Sequence, residues 1–275
     1  MNWLESMLYG IISGITEFLP ISAFAHQQLY FKMLDVQGVD PLQSFLVHIA
    51  LILAVLTGCR SSIEKFYRSK LTYRKDDARM RSSNNTHLEL RFLKNAVLPM
   101  LLGYFVLSQF IPIKANLVWI AVFSFVNFLI LMFQSRLMQG NKDERSVSIF
   151  DSLTIGLSAA VAVFPGISRV STMLAIATHH GVDKEKAINW ITLLSIPMLI
   201  ASCVIDIFKL LTSSGPVPVS GNILGYILSA GTTYVFGYLG ILLIKSYAYR
   251  KDISDFAYYS LGITFFTLFL YLTVV

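Results

Sequence analysis

Two stretches decide how this chain folds: Ser13-Gly14-Ile15-Thr16-Glu17-Phe18-Leu19-Pro20-Ile21-Ser22, and Ser158-Ala159-Ala160-Val161-Ala162-Val163-Phe164-Pro165-Gly166-Ile167-Ser168-Arg169. Both are apolar enough to enter a membrane, and both are broken by a proline and by polar side chains. Proline removes a backbone donor and ends the helix before it. A serine two or three residues later is suited to starting a new helix. Each stretch belongs to a longer segment, roughly 1–40 and 150–187, whose place is set by what flanks it.

The flanks are membrane spans. Of 275 residues, 55% are hydrophobic and 14% charged, with a mean hydropathy of +0.63. A soluble domain carries nearer to 25% charged residues, so residues 1–275 read as one membrane domain. Six stretches are long enough to cross a hydrocarbon core of roughly 30 Å: 43–59, 94–110, 116–134, 188–208, 222–244 and 256–275. Residues 60–94 hold ten Lys/Arg against four acids. Lysine and arginine accumulate on the cytoplasmic side, which predicts a basic cytoplasmic loop over 60–94. Arg136, Lys142 and Arg145 put 135–148 on the same side, and Lys245, Arg250 and Lys251 do so for 245–252. The nearly uncharged connections 111–115 and 210–221 then face outward.

With the spans fixed, segment 1–40 has to begin and end outside, and segment 150–187 inside. Both read as re-entrant hairpins. The expected fold is an all-α polytopic membrane protein built as an inverted-topology repeat, each half a re-entrant helical hairpin plus three transmembrane helices. Repeat one covers about 1–134 and repeat two about 150–275. Such repeats place sites where broken helices meet, and irregular backbone at that depth survives only inside protein or beside a wet cavity.

Charged side chains in a bilayer are costly and face a bundle interior or a cavity. Here they are Glu17, His26, His48, Arg169 and Asp206, with His179 and His180 near a hairpin end. In the second break, Pro165 and Gly166 stop one half-helix and Ser168 starts the next. Free N–H groups at a helix start attract anions, and the guanidinium of Arg169 matches phosphate oxygens. Ser168, Ser171 and Thr172 add hydroxyls. Together they suit a phosphate; the competing reading is a kink with a snorkelling arginine. Glu17 is suited to hold a divalent cation bridged to phosphate or to act as a base. His26 is suited to protonate a leaving oxygen or to attack phosphorus. The alternative for both is packing, with Glu17 neutral and His26 satisfied by backbone. His48 reads as a helix-packing residue, Asp206 as a span-end residue reaching water, and Asn189 as an ordinary helix-end polar residue.

Other classes are excluded. The net charge of +6 sits in short connections, so no nucleic-acid partner is expected. Cys59 and Cys203 form no zinc or disulfide framework. The N-terminus lacks the basic-then-apolar pattern of a removable signal peptide.

At these residues the chain resembles the undecaprenyl-diphosphate phosphatase family, bacterial enzymes linked to bacitracin resistance. Gly14-Ile15-Thr16-Glu17-Phe18-Leu19-Pro20-Ile21-Ser22 with His26 resembles its first signature, and Pro165-Gly166-Ile167-Ser168-Arg169 its second. His48–Val55, Leu98–Gly103 and Leu194–Met198 are similar to its intervening helices. The resemblance implies a plasma-membrane hydrolase with an outward-facing site, removing the terminal phosphate of a C55 polyprenyl diphosphate in cell-wall lipid carrier recycling. Glu17, His26 and Arg169 would be catalytic, Glu17 also holding Mg²⁺ or Ca²⁺. Ser22, Gly166, Ser168, Arg169 and Ser171 would bind substrate. The partners would be the lipid and the bilayer, with a homodimer left open. Ser13 stands where the family pattern has a second Glu or Gln, Ala23 where it has a serine, and Asn189 where it has a glutamate; Phe24-Ala25 and Val170-Ser171 also depart from it. Those departures support an alternative from another class, a non-hydrolytic polyprenyl-phosphate transporter or flippase that kept the phosphate clamp.

Overall fold

The computed structural model describes residues 1–72, 77–110, 116–138, 140–212, 223–249 and 253–274. Among them the regular elements are helical, apart from one parallel bridge between Lys142 and Val182. The order is α1 (Trp3–Glu17), α2 (Ala23–Met33), α3 (Pro41–Gly58), α4 (Arg60–Thr72), α5 (Asp77–Phe110), α6 (Leu117–Arg136), α7 (Ile149–Ser158) with a 3₁₀ turn (Ala159–Val163), α8 (Arg169–His179), α9 (Lys184–Thr212), α10 (Ile223–Tyr249) and α11 (Ser254–Val274).

Among the described residues six helices are long and apolar enough to cross a membrane: Pro41–Gly58, Asn85–Gln109, Leu117–Arg136, Lys184–Thr212, Ile223–Tyr247 and Ser254–Thr273. These are the six expected spans with shifted ends. They leave large apolar side chains exposed along their length, among them Leu98, Phe105, Phe133, Phe208, Phe265 and Phe269. Water would not tolerate such a surface; acyl chains do. The chain is a multi-pass membrane protein. The connections 111–115 and 213–222, and the basic residues Arg74, Lys75, Arg250 and Lys251, lie outside the described residues.

Residues 60–94 differ from expectation. The stretch contains neither Gly nor Pro, and it continues as α4 and the start of α5 rather than as a loop. Charge decides the side a connection occupies, and helix propensity decides its shape.

Two broken pairs precede the long helices: α1 with α2, and α7 with its 3₁₀ turn and α8. At 15 and 11 residues, α1 and α2 are each too short to span a bilayer. Local caps set their ends. Asn2 and Glu5 form a capping box on α1, Ser148 and Asp151 one on α7, and Ser22 and Ser168 cap α2 and α8. Helix α1 is seated against α10 through small residues, Gly10 and Gly14 facing Ser229, Thr233 and Gly237. A Cβ on Gly14 would lie 2.7 Å from the Thr233 carbonyl oxygen. Small residues four apart let membrane helices touch backbone to backbone. That contact fixes α1, and so fixes Glu17 at its C-terminus.

Two buried clusters hold the remainder. One joins Leu19 and Ile21 to Met100, Leu131, Met173, Leu174, Ile188, Trp190 and Leu194. The other joins Tyr9, Phe18 and Tyr30 to Val47, Leu51, Leu193, Leu199 and Ile241. The break in the first hairpin, Phe18–Ile21, therefore lies between the two clusters, fully enclosed.

Candidate active site where two hairpin tips meet

The tips of the two broken pairs touch. Gly166 N–H donates to Ser22 Oγ at 3.3 Å, and Ser168 Oγ donates to the Leu19 carbonyl at 3.3 Å. Gly166 has φ +120°, and a Cβ there would sit 2.5 Å from Ser124 N and 2.8 Å from the Ile120 carbonyl on α6. Only glycine adopts that backbone at that distance, so Gly166 is what lets the second tip lie against α6.

Asn127, in the middle of α6 and completely buried, ties both breaks together. Its Oδ1 accepts from Ser168 N–H at 3.0 Å and from the Ser171 hydroxyl in a short contact. Its Nδ2 donates to the Pro20 carbonyl at 3.2 Å and to Ser260 Oγ of α11 at 3.0 Å. Ser168 N–H can only donate and the Pro20 carbonyl can only accept, so the partners fix the amide's orientation.

Glu17 ends α1 and Arg169 begins α8. Across the junction Arg169 Nη2 donates to Glu17 Oε1 at 2.9 Å and to Ser195 Oγ of α9 at 2.9 Å. The side chain of Glu17 is 21% exposed and that of Arg169 is 9% exposed. His26 is one turn into α2. Its Nδ1 meets the Ser22 carbonyl at 2.6 Å and its Nε2 the Tyr259 hydroxyl at 2.8 Å. Both ring nitrogens are thus engaged by groups other than the Glu17–Arg169 pair. Ser22 and Ser168 cap the second half-helix of each tip, and the Ser171 hydroxyl also reaches the Ser168 carbonyl.

Ser13, on the same face of α1 as Glu17, is buried and accepts from Gln27 Nε2 at 3.1 Å. An amide–hydroxyl pair thus occupies the position one turn from the carboxylate. Among the described residues no group of three His, Cys, Asp or Glu converges as a metal cage. Glu17 fits one oxygen ligand of an ion that arrives with phosphate, the usual manner of magnesium.

One polar position sits elsewhere than expected. Asp206 does not reach water: it is 4% exposed, and its Oδ2 is 2.7 Å from His48 Nδ1. Helix α9 runs on to Thr212, so Asp206 lies inside the helix and pairs with α3. Asn189 accepts from Ser62 Oγ at 3.2 Å, six residues and about 9 Å of helix before Ser195. It lines a separate polar cavity of about 560 Å³ with Lys65, Glu89, Lys186 and Lys245, so that departure lies outside the tip junction.

Asn127, Ser195, Gln27 and Tyr259 were not singled out by the sequence reading. For Asn127 the available signal was an amide within an apolar span. Ser195 and Tyr259 resemble many other hydroxyls in this chain and carried no signal.

A protein-family model described as Bacitracin resistance protein BacA matches residues 6–266. The chain belongs to this family. Among similar proteins are undecaprenyl-diphosphatase 2 of Halalkalibacterium halodurans, 30% identical with 98% of this chain and 96% of that protein covered, and undecaprenyl-diphosphatase 1 of Shouchella clausii, 27% identical with 94% and 93% covered. Undecaprenyl-diphosphatase of Thermosipho africanus is 27% identical, with 97% and 99% covered. The transporter alternative has no counterpart among these relatives. Membership extends across nearly the whole chain, so both hairpin tips fall within the family's own frame.

Proposed function

We propose that this protein is an undecaprenyl-diphosphatase, hydrolysing the terminal phosphate of a C55 polyprenyl diphosphate to leave the monophosphate. The observation that carries the reading is the Arg169–Glu17 contact at 2.9 Å, made between two hairpin tips in a chain whose relatives bear that name. Arg169, with the amides of the first turn of α8, would hold the terminal phosphoryl group; cation and helix dipole both favour an anion there. Glu17 would act as base towards water. A divalent cation would be held by Glu17 together with phosphate oxygens, and would neutralise charge on the diphosphate. His26, on the other side of the first tip, would serve the leaving oxygen. The apolar surfaces of the spans suit the isoprenoid tail. Basic residues in 60–94, 135–148 and 245–252 argue that those connections are cytoplasmic; in the plasma membrane, the first hairpin would then open outward.

The test is phosphate release from C55 polyprenyl diphosphate by the purified protein in detergent, with and without Mg²⁺, beside Glu17→Ala and Arg169→Ala. Turnover by wild type and its loss in both variants is the expected result. Release by wild type no faster than by Arg169→Ala refutes the reading.

A further inference from the structure

The contacts of His26 fix where its protons sit. The Ser22 carbonyl is an acceptor only, so Nδ1, at 2.6 Å, carries a hydrogen in the neutral and the protonated ring alike. In the neutral ring Nε2 then holds the lone pair, and the Tyr259 hydroxyl at 2.8 Å is the donor. In the imidazolium Nε2–H donates to the phenol oxygen instead, which frees the phenolic hydrogen to point elsewhere. A hydroxyl serves both forms by rotating about one bond; a carbonyl or an ammonium in its place would serve only one. The two rings are stacked, 5.6 Å apart and 9° from parallel. Tyr259 is 46% exposed, so the phenol forms the open end of this chain of contacts. Its neighbour Ser260 accepts from Asn127, the residue that clamps both tips, so the position of Tyr259 is tied to the junction.

We propose that Tyr259 is a catalytic residue that relays the proton of His26 to the leaving oxygen. This rests on the phosphatase reading above. Water forms a bond to the terminal phosphorus and gives a proton to the Glu17 carboxylate. The bond from that phosphorus to the bridging oxygen breaks, and its electron pair stays on the bridging oxygen. Tyr259 gives its hydroxyl proton to that oxygen and takes the Nε2 proton of the His26 imidazolium. Inorganic phosphate and polyprenyl monophosphate result, Tyr259 ends as a neutral phenol, and the proton on Glu17 returns to His26 through solvent. With Nε2 covered by the phenol, His26 acts through Tyr259 and does not attack phosphorus itself.

The experiment compares kcat, KM and pH profile of phosphate release from C55 polyprenyl diphosphate for wild type, Tyr259→Phe, His26→Ala and the double variant. Phenylalanine keeps the stacked ring and removes only the hydroxyl. Tyr259→Phe should lower kcat about 100-fold, the lower range for a general acid, with KM within about twofold on the same grounds. The alkaline fall in kcat that reports the acid should flatten. Residues acting as one unit are not additive, so the double variant should be no slower than the slower single variant. A Tyr259→Phe enzyme with the wild-type kcat and pH profile, a loss confined to KM, or losses that multiply in the double variant each refute the relay while leaving the phosphatase reading standing. A wild type that releases no phosphate refutes both.

Discussion

Replacing Asn127 by leucine keeps the branching of the side chain and removes its amide. Four hydrogen bonds are lost, to Ser168 N–H, the Ser171 hydroxyl, the Pro20 carbonyl and Ser260 Oγ. The two serine hydroxyls have carbonyls of their own helices to turn to, and Ser171 already contacts Ser168 O. The two backbone groups have no such recourse, because each lies in a helix break where no i→i−4 partner exists. Side-chain hydrogen bonds between membrane helices average only about 0.6 kcal/mol, so four of them set a floor near 2 kcal/mol. Orphaning a buried backbone group costs about 1–3 kcal/mol, and two of them raise the ceiling to about 6. At about 2–4 °C per kcal/mol for a chain of this size, Asn127→Leu should melt roughly 5–20 °C below wild type. The assay is thermal unfolding of the purified protein in detergent, with hydrogen exchange followed at both breaks. Exchange should quicken at Ser168 and around Pro20 before it does in the spans. A variant melting within about a degree of wild type, with exchange at the tips unaltered, would show that Asn127 does not clamp them.

Two further outcomes follow from side chains near the junction. Ser13→Glu places a second carboxylate one turn from Glu17, so the variant should be less stable than wild type in EDTA and recover with Ca²⁺. At a hundredfold excess over Kd the recovery is about 2.7 kcal/mol; an equal rise in wild type would mean that Glu17 already suffices to bind the ion. The pair His48–Asp206 joins α3 to α9 at 2.7 Å. Removing one partner of a buried pair costs about 3–5 kcal/mol, whereas replacing both by apolar residues is close to neutral. With His48 partly exposed the lower figure applies, so Asp206→Leu should melt lower than wild type and the His48→Leu/Asp206→Leu double variant should recover; a double variant worse than the single one contradicts the pairing.

The spans were legible because length and hydropathy alone decide what crosses a bilayer, and the tips because proline stands there beside charged and hydroxyl side chains; proline alone marks no break, since Pro99 and Pro197 lie inside α5 and α9. Glu17 and Arg169 stood out as charges at membrane depth. Their contact did not, since it joins residues 152 apart through a tip-to-tip geometry that no local pattern encodes. Attention to charge also passes over neutral groups, and Asn127, Ser195 and Tyr259 are neutral. Asp206 was misplaced for a definite reason: the apolar run thins near residue 208, whereas α9 continues to Thr212 and keeps residue 206 inside a helix with His48 opposite. The stretch 60–94 was assigned a side by its charge, and nothing in that argument addresses its helicity.

The ion pair at the junction bears on how one arginine serves both a carboxylate and a phosphate. A guanidinium has five N–H donors in a plane. The two on Nη2 are directed to Glu17 and Ser195; those on Nε and Nη1 make no hydrogen bond among the described residues. A phosphate approaching that free edge need not evict Glu17. The cation would then lie between two anions, with the carboxylate held beside the phosphoryl group it is to serve and the repulsion between them offset by the charge in the middle. Ser195 holds the other Nη2 hydrogen and prevents the guanidinium from turning away from the carboxylate. A lysine has one ammonium with three donors at a single point, so it would have to choose between Glu17 and phosphate. On the proposed function Arg169 would then serve twice, binding the substrate and positioning the base.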